Sequence, residues 1–159
     1  MSDLRALYQS LIMDHGKNPR NKRSMDEHGG GCRCSEGYNP LCGDKLKLYA
    51  KTDGDTLEDL SFDGEGCAIF TASSSMLTEV LKGRSIEEIR EVLDLYLKML
   101  TEEDVELDPH GLGKLAVFGG VKEFPARVKC ATLPWRALEA ILEAVDGEEA
   151  MPEKPVATE

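Results

Sequence analysis

Lys45-Leu46-Lys47-Leu48-Tyr49-Ala50-Lys51 alternates outward-suited and apolar residues over its whole length. Successive side chains of a strand point to opposite faces, so this run predicts a half-buried strand with one wet face. Strands of that kind belong to antiparallel sheets, because parallel strands are covered on both sides. Thr52-Asp53-Gly54-Asp55 carries turn chemistry, and Leu57 to Phe62 reads as the return strand of a hairpin. Around this hairpin the apolar period becomes helical. Leu4, Tyr8, Leu11 and Ile12 form one stripe that ends at Gly16 and Asn18-Pro19. Met76, Leu77, Val80 and Leu81 form another, which stops at Gly83. Ser85-Ile86-Glu87-Glu88 is a capping box, and it opens a helix with Ile86, Ile89, Leu93, Tyr96 and Leu100 on one face. Trp135, Leu138, Ile141, Leu142 and Val145 predict a last helix with Pro134 in its first turn. One hairpin-based sheet with several helices is an α+β domain.

The remaining segments set the boundaries. A chain of 159 residues suits one domain, taken here as residues 1–145. Residues 16–41 show no periodicity and are rich in Gly, Asn and Pro, which predicts a long loop. That loop holds Lys17, Arg20, Lys22, Arg23 and Arg33 against Asp26, Glu27 and Glu36, a locally basic stretch able to dock an acidic partner face. Thr101 to Asp108 reads as an acidic surface connection, and residues 146–159 as a disordered acidic tail. With a net charge of −11, general affinity for nucleic acid is excluded, since that rests on clustered positive charge. No stretch approaches the roughly 18 apolar residues of a membrane span. Met1-Ser2-Asp3-Leu4-Arg5 lacks a signal pattern, so a cytoplasmic protein is expected.

Five cysteines in a reducing compartment point to metal or sulfur chemistry rather than disulfides. Cys42 lies in Asn39-Pro40-Leu41-Cys42-Gly43-Asp44, a turn sequence that presents its thiol from a loop tip with the Asp44 carboxylate two residues on. Cys67 follows Gly64-Glu65-Gly66, whose glycines permit close approach of another segment. Cys130 precedes the last helix. Three thiolates and a carboxylate brought together repel one another, and a divalent cation removes that repulsion. Zn²⁺ accepts such S and O ligands tetrahedrally, while an iron–sulfur cluster takes a similar set. The separations of 25 and 63 residues leave a second reading open, in which Cys67 and Cys130 are small buried apolar residues. Cys32-Arg33-Cys34 is too tight for a standard metal site and reads as incidental thiols. His15, near the end of the first helix, is placed to favour its negative end. His28 and His110 carry no signal.

These blocks, in order, resemble a known family. Asp14-His15, Lys17-Asn18-Pro19-Arg20-Asn21, Asn39 to Asp44, Gly64 to Ile69, Ala72 to Glu79 and Phe124 to Leu133 are similar to the U-type iron–sulfur cluster assembly family. The match runs from about residue 4 to 145. Lys129 before Cys130, Phe124-Pro125-Ala126-Arg127 in place of a Leu-Pro-Pro-Val-Lys motif, and extra residues before the last block (an insertion at 101–120) resemble its SufU-type branch rather than the IscU-type scaffolds.

The resemblance implies a small three-stranded antiparallel sheet packed against helices. It implies one zinc held by Cys42, Asp44, Cys67 and Cys130, with Arg127 beside the site. It implies that Cys42 accepts persulfide sulfur from a SufS-type cysteine desulfurase, leaving the zinc to do so, and that sulfur passes on to iron–sulfur assembly proteins. Arg127 would then stabilise the released thiolate. The chain would relay sulfur as a sulfurtransferase-like acceptor with no small-molecule reaction of its own. The alternatives are a scaffold building a [2Fe–2S] cluster on the same four residues and an interaction module with structural zinc. Gly16, where the family commonly has an aromatic residue, and Pro134, where it has a helix former, depart from the pattern.

Overall fold

The computed structural model describes residues 2–25, 31–102, 109–147 and 156–157. Its elements are α1 (Ser2–Lys17), β1 (Cys32–Asn39), β2 (Asp44–Asp53), β3 (Thr56–Glu65), α2 (Ala68–Leu81), α3 (Ile86–Thr101), α4 (Pro109–Leu112), a 3₁₀ segment (Gly113–Glu123), α5 (Pro125–Gly147) and β4 (Val156–Ala157). The expected α+β class holds. The sheet runs β3-β2-β1-β4, the first three strands antiparallel and the two-residue β4 parallel to β1. The predicted hairpin is β2–β3. Its alternation places Leu46, Leu48 and Ala50, with Leu60 and Phe62 of β3, in the core, while Lys45, Lys47 and Lys51 face out. A bulge between Lys51 and Thr52 shifts the register and lets Leu57 bury as well. Helix α5 lies on β1 and β2, and α2 lies on β3. No helix among the described residues is long and apolar enough to cross a membrane.

β1 corrects the expected 16–41 loop. Its inward side chains are Ser35, Gly37 and Asn39, which offer no apolar alternation to read. Pairing supplies what periodicity does not: all eight residues stand in antiparallel register with β2, from Cys32 opposite Lys51 to Asn39 opposite Asp44. Gly37 sets how closely α5 approaches, since a Cβ there would sit 3.0 Å from Leu133 Cδ1. The tail boundary moves too. Asp146 belongs to α5 and forms a two-bond ion pair with Arg90 at 2.5 Å, and Val156–Ala157 pair with Gly37–Tyr38. The remainder of the tail, Glu103–Asp108, His28 and the side chains of Leu4, Tyr8 and His110 lie outside the described residues.

The last helix starts nine residues before Pro134, with Pro125 in its first turn, so the expectation of Pro134 there is corrected. Pro134 instead sits mid-helix, where it lacks an N–H and crowds the carbonyl one turn back. That carbonyl belongs to Cys130, and buried hydroxyls meet the one next to it. Ser73 Oγ and Tyr96 Oη donate to the Ala131 carbonyl at 2.6 and 2.9 Å, and Trp135 Nε1 donates to Ser73 Oγ at 3.1 Å. The Trp135 and Tyr96 rings stack with centroids 4.0 Å apart. The residues following the acidic connection fold into α4 and the 3₁₀ segment. Leu112, Leu115, Val117, Phe118 and Val121 bury there, and Phe118 meets Tyr96 edge to face. Ser85 caps α3 as expected, accepting the Glu88 N–H.

His15 is buried, its Nδ1 2.7 Å from Ser75 Oγ and its Nε2 3.7 Å from Glu79. Burial first, then the Arg20 and Lys114 charges, lower its pKa to about 4. It therefore serves as a neutral core partner rather than as a charge at the helix end. The unfolded chain binds a proton near pH 6.5 that the folded chain refuses until about 4, so stability falls as pH drops through that window. Urea melts at pH 7 and pH 4.5 should show this loss, on the order of 2–3 kcal/mol from His15. A His15→Gln variant should show a correspondingly flatter dependence.

Candidate metal centre

The turn Pro40–Gly43 joins β1 to β2 and carries Cys42, which is exposed. Gly43 adopts φ +73° and donates its N–H to the Asn39 carbonyl at 2.9 Å, closing the turn so that Asp44 enters β2 fully buried. Cys130 is 1% exposed on α5, one turn after the helix begins. The Cys42 and Cys130 sulfurs and a carboxylate oxygen of Asp44 lie within 4.8 Å of one another. A turn, the strand it leads into and a helix distant in sequence thus present S, O and S donors to one point.

Cys67 stands beside this trio as the N-cap of α2. Its Sγ accepts the Phe70 N–H at 3.4 Å, and its own backbone N–H donates to Asp44 Oδ1 at 2.9 Å. Gly66 makes room for that contact: a Cβ there would lie 2.4 Å from Asp44 Oδ1 and 2.5 Å from the Phe70 ring. Gly64, at φ +156°, passes so close to the Lys45 carbonyl that a Cβ would overlap it. The two glycines before Cys67 are therefore what lets the β3–α2 connection reach the start of β2.

The Cys130 thiol is pushed well above the usual thiol range. Burial is the main cause, and Asp44 and the neighbouring Cys42 and Cys67 thiols add to it. Buried among these donors, Cys130 holds its proton unless a cation replaces it. Asn39, which motif spacing did not single out, touches the same groups. Its Nδ2 is 3.0 Å from Asp44 Oδ2 and 3.4 Å from Cys130 Sγ.

Arg127 lies one turn before Cys130 on α5, exposed, with its guanidinium 4.9 Å from the Phe124 ring centroid. An apolar cavity of about 910 Å³ opens beside it, lined by Ile12, Met13, Ile69, Val121 and Phe124 among others. Cys32 and Cys34 sit on the outward face of β1, cross-strand from Lys51 and Tyr49, and do not join the trio. Two cations of the expected basic cluster are used internally, Arg20 on Asp14 and Glu79, and Arg23 on Asp59. At Gly16 a Cβ would come 3.3 Å from the Ala68 carbonyl, so α1 passes close to the start of α2.

The family model described as the NifU-like N-terminal domain matches residues 7–131. The chain belongs to this family. It is 43% identical over 138 residues to the protein of Bacillus subtilis named zinc-dependent sulfurtransferase SufU, covering 87% of this chain and 90% of that one. It is 38% identical over 149 residues to the iron–sulfur cluster assembly scaffold protein IscU of Streptococcus pyogenes, covering 93% and 91%. Among solved structures, FiSufU from Fervidobacterium islandicum AW-1 superposes with a TM-score of 0.75 at 36% identity, over 85% of this chain and 96% of that one.

Accessibility separates the thiols of the metal-free protein. Iodoacetamide should modify exposed Cys42 at least about tenfold faster than buried, protonated Cys130. Peptide mass spectrometry over a time course reads the two rates directly.

Proposed function

We propose that this chain is a zinc-containing sulfur-transfer protein of iron–sulfur cluster assembly, taking sulfane sulfur from a SufS-type cysteine desulfurase in the cytoplasm. The observation that carries this reading is the asymmetry of the centre. Cys42 is exposed on a turn, while Asp44 and Cys130, its neighbours within 4.8 Å, are buried. Similarity to the B. subtilis protein named for zinc-dependent sulfur transfer supports it.

The donors suit zinc. A tetrahedral ion with bonds of about 2.3 Å holds its sulfurs roughly 3.8 Å apart. The Cys42 and Cys130 sulfurs lie within 4.8 Å of each other, near that spacing, and Cys67, which stands outside this trio as the N-cap of α2, would complete the set. Bound there, Zn²⁺ would offset the pooled negative charge and keep the thiols deprotonated. The chain's own residues do the rest. Asp44 and Cys130 anchor the centre from the core, while the turn presents Cys42 to a partner. The Cys42 thiolate attacks the terminal sulfur of the partner's persulfide. A new S–S bond forms on Cys42, the partner's S–S bond breaks, and the electron pair leaves with the partner's thiolate. No external oxidant or reductant is required. Arg127, one turn before Cys130, is assigned to the negative charge of the free Cys42 thiolate before it attacks.

Elemental analysis of anaerobically purified protein tests the reading, with about one zinc and no iron expected per chain. Cys42→Ser should stay folded yet lose acceptance of sulfur from a SufS-type desulfurase by two orders of magnitude or more. Two irons with acid-labile sulfide would instead establish a cluster scaffold, the role named for the S. pyogenes relative. Undiminished desulfurase stimulation by Cys42→Ser would reduce the zinc to a structural part.

A further inference from the structure

We propose that Asn39 is a positioning residue that aligns Asp44 and Cys130 with the Cys42 turn, and that metal affinity at the centre depends on its side-chain amide. The inference rests on the metal-centre reading above and assigns a role to a residue outside the ligand set.

Asn39 closes β1, and nothing of it is exposed. Its amide nitrogen has two protons and two acceptors in reach, Asp44 Oδ2 at 3.0 Å on β2 and Cys130 Sγ at 3.4 Å on α5. Its Oδ1 accepts the Leu41 N–H at 3.3 Å, and its carbonyl accepts the Gly43 N–H at 2.9 Å, so it brackets Cys42 from both sides. One side chain therefore ties together the strand, the helix and the turn that carry three candidate ligands.

The chemistry of the amide matches the task. Asp44 Oδ1 is already held by the Cys67 N–H, so a second donor on Oδ2 fixes the rotation of the carboxylate plane. Each oxygen keeps a lone pair for a cation. Toward Cys130 the same amide donates to sulfur, which compensates part of a thiolate's charge without adding a positive group that would compete with a metal. A leucine would fill the space and donate nothing, and a lysine would repel the ion. When Cys42 turns outward, these two bonds still hold Asp44 and Cys130 in place.

Partners that orient metal ligands are worth about 10–100-fold in metal affinity. Zinc affinity of the full chain, measured against a chromogenic chelator, should fall by about that factor in Asn39→Ala. Asn39→Ser, whose single hydroxyl reaches one acceptor at most, should fall between. The visible spectrum of Co²⁺-loaded protein should change in band position, reporting altered ligand geometry. Metal-free Asn39→Ser should keep the wild-type circular dichroism. Wild-type zinc affinity and an unchanged Co²⁺ spectrum in both variants overturn the proposal while leaving the metal centre standing. So does a lowered melting temperature of the metal-free variants with unaltered affinity, which is a structural role alone. Should Asn39→Ala not fold, Asn39→Ser decides. Wild-type protein that takes up neither zinc nor cobalt overturns both this inference and the reading beneath it.

Discussion

A fully buried carboxylate is admissible in a protein only where donors meet its oxygens, and Asp44 meets that condition with the Cys67 N–H and the Asn39 amide. Much of the local architecture follows from that requirement. The β3–α2 connection must pass close enough for Cys67 to donate, which needs Gly66 without a side chain and Gly64 against the Lys45 carbonyl. Strand β1 must end level with the start of β2, so that Asn39 stands opposite Asp44. The turn between them is then short, and Cys42 stands exposed on it. The exposed thiol and the buried acid are two results of one constraint.

The helical layer answers a second demand, that α5 carry Cys130 to the same point. Its approach to the sheet is set at Gly37, beneath Leu133. Its interior proline withholds an N–H from the Cys130 carbonyl, while Ser73 and Tyr96 serve the next carbonyl, that of Ala131. Ser73 also receives the Trp135 indole N–H, so three elements share one polar cluster around the Ala131 carbonyl. A buried polar network of this kind fixes one arrangement of the helices, since each partner lost leaves another unsatisfied.

What could be read in the sequence was what periodicity and turn chemistry encode locally. The β2–β3 hairpin, the Ser85 start of α3 and the Gly83 stop of α2 depend on residues near one another, and all stand where the pattern puts them. Strand β1 was illegible because its inward positions are Ser35, Gly37 and Asn39, chosen to fit α5 and the centre rather than to be apolar. The start of α5 was hidden because Pro134 looks like a boundary, whereas the helix begins at Pro125 and runs through it. The four proposed ligands were legible through likeness to a family, since spacings of 25 and 63 residues carry no metal signature. Asn39 left only the faint mark of an Asx residue before a turn.

Those same wide spacings have a thermodynamic consequence. An unfolded chain would have to close loops of 25 and 63 residues to gather the three sulfurs, at a cost in entropy that a compact chelating motif avoids. A cation held at this point therefore selects the native chain almost exclusively, and each tenfold excess of ligand over its dissociation constant adds about 1.4 kcal/mol to folding. Occupancy and foldedness become linked quantities, so cells that run short of the ion would lower the standing amount of intact protein as well as its activity.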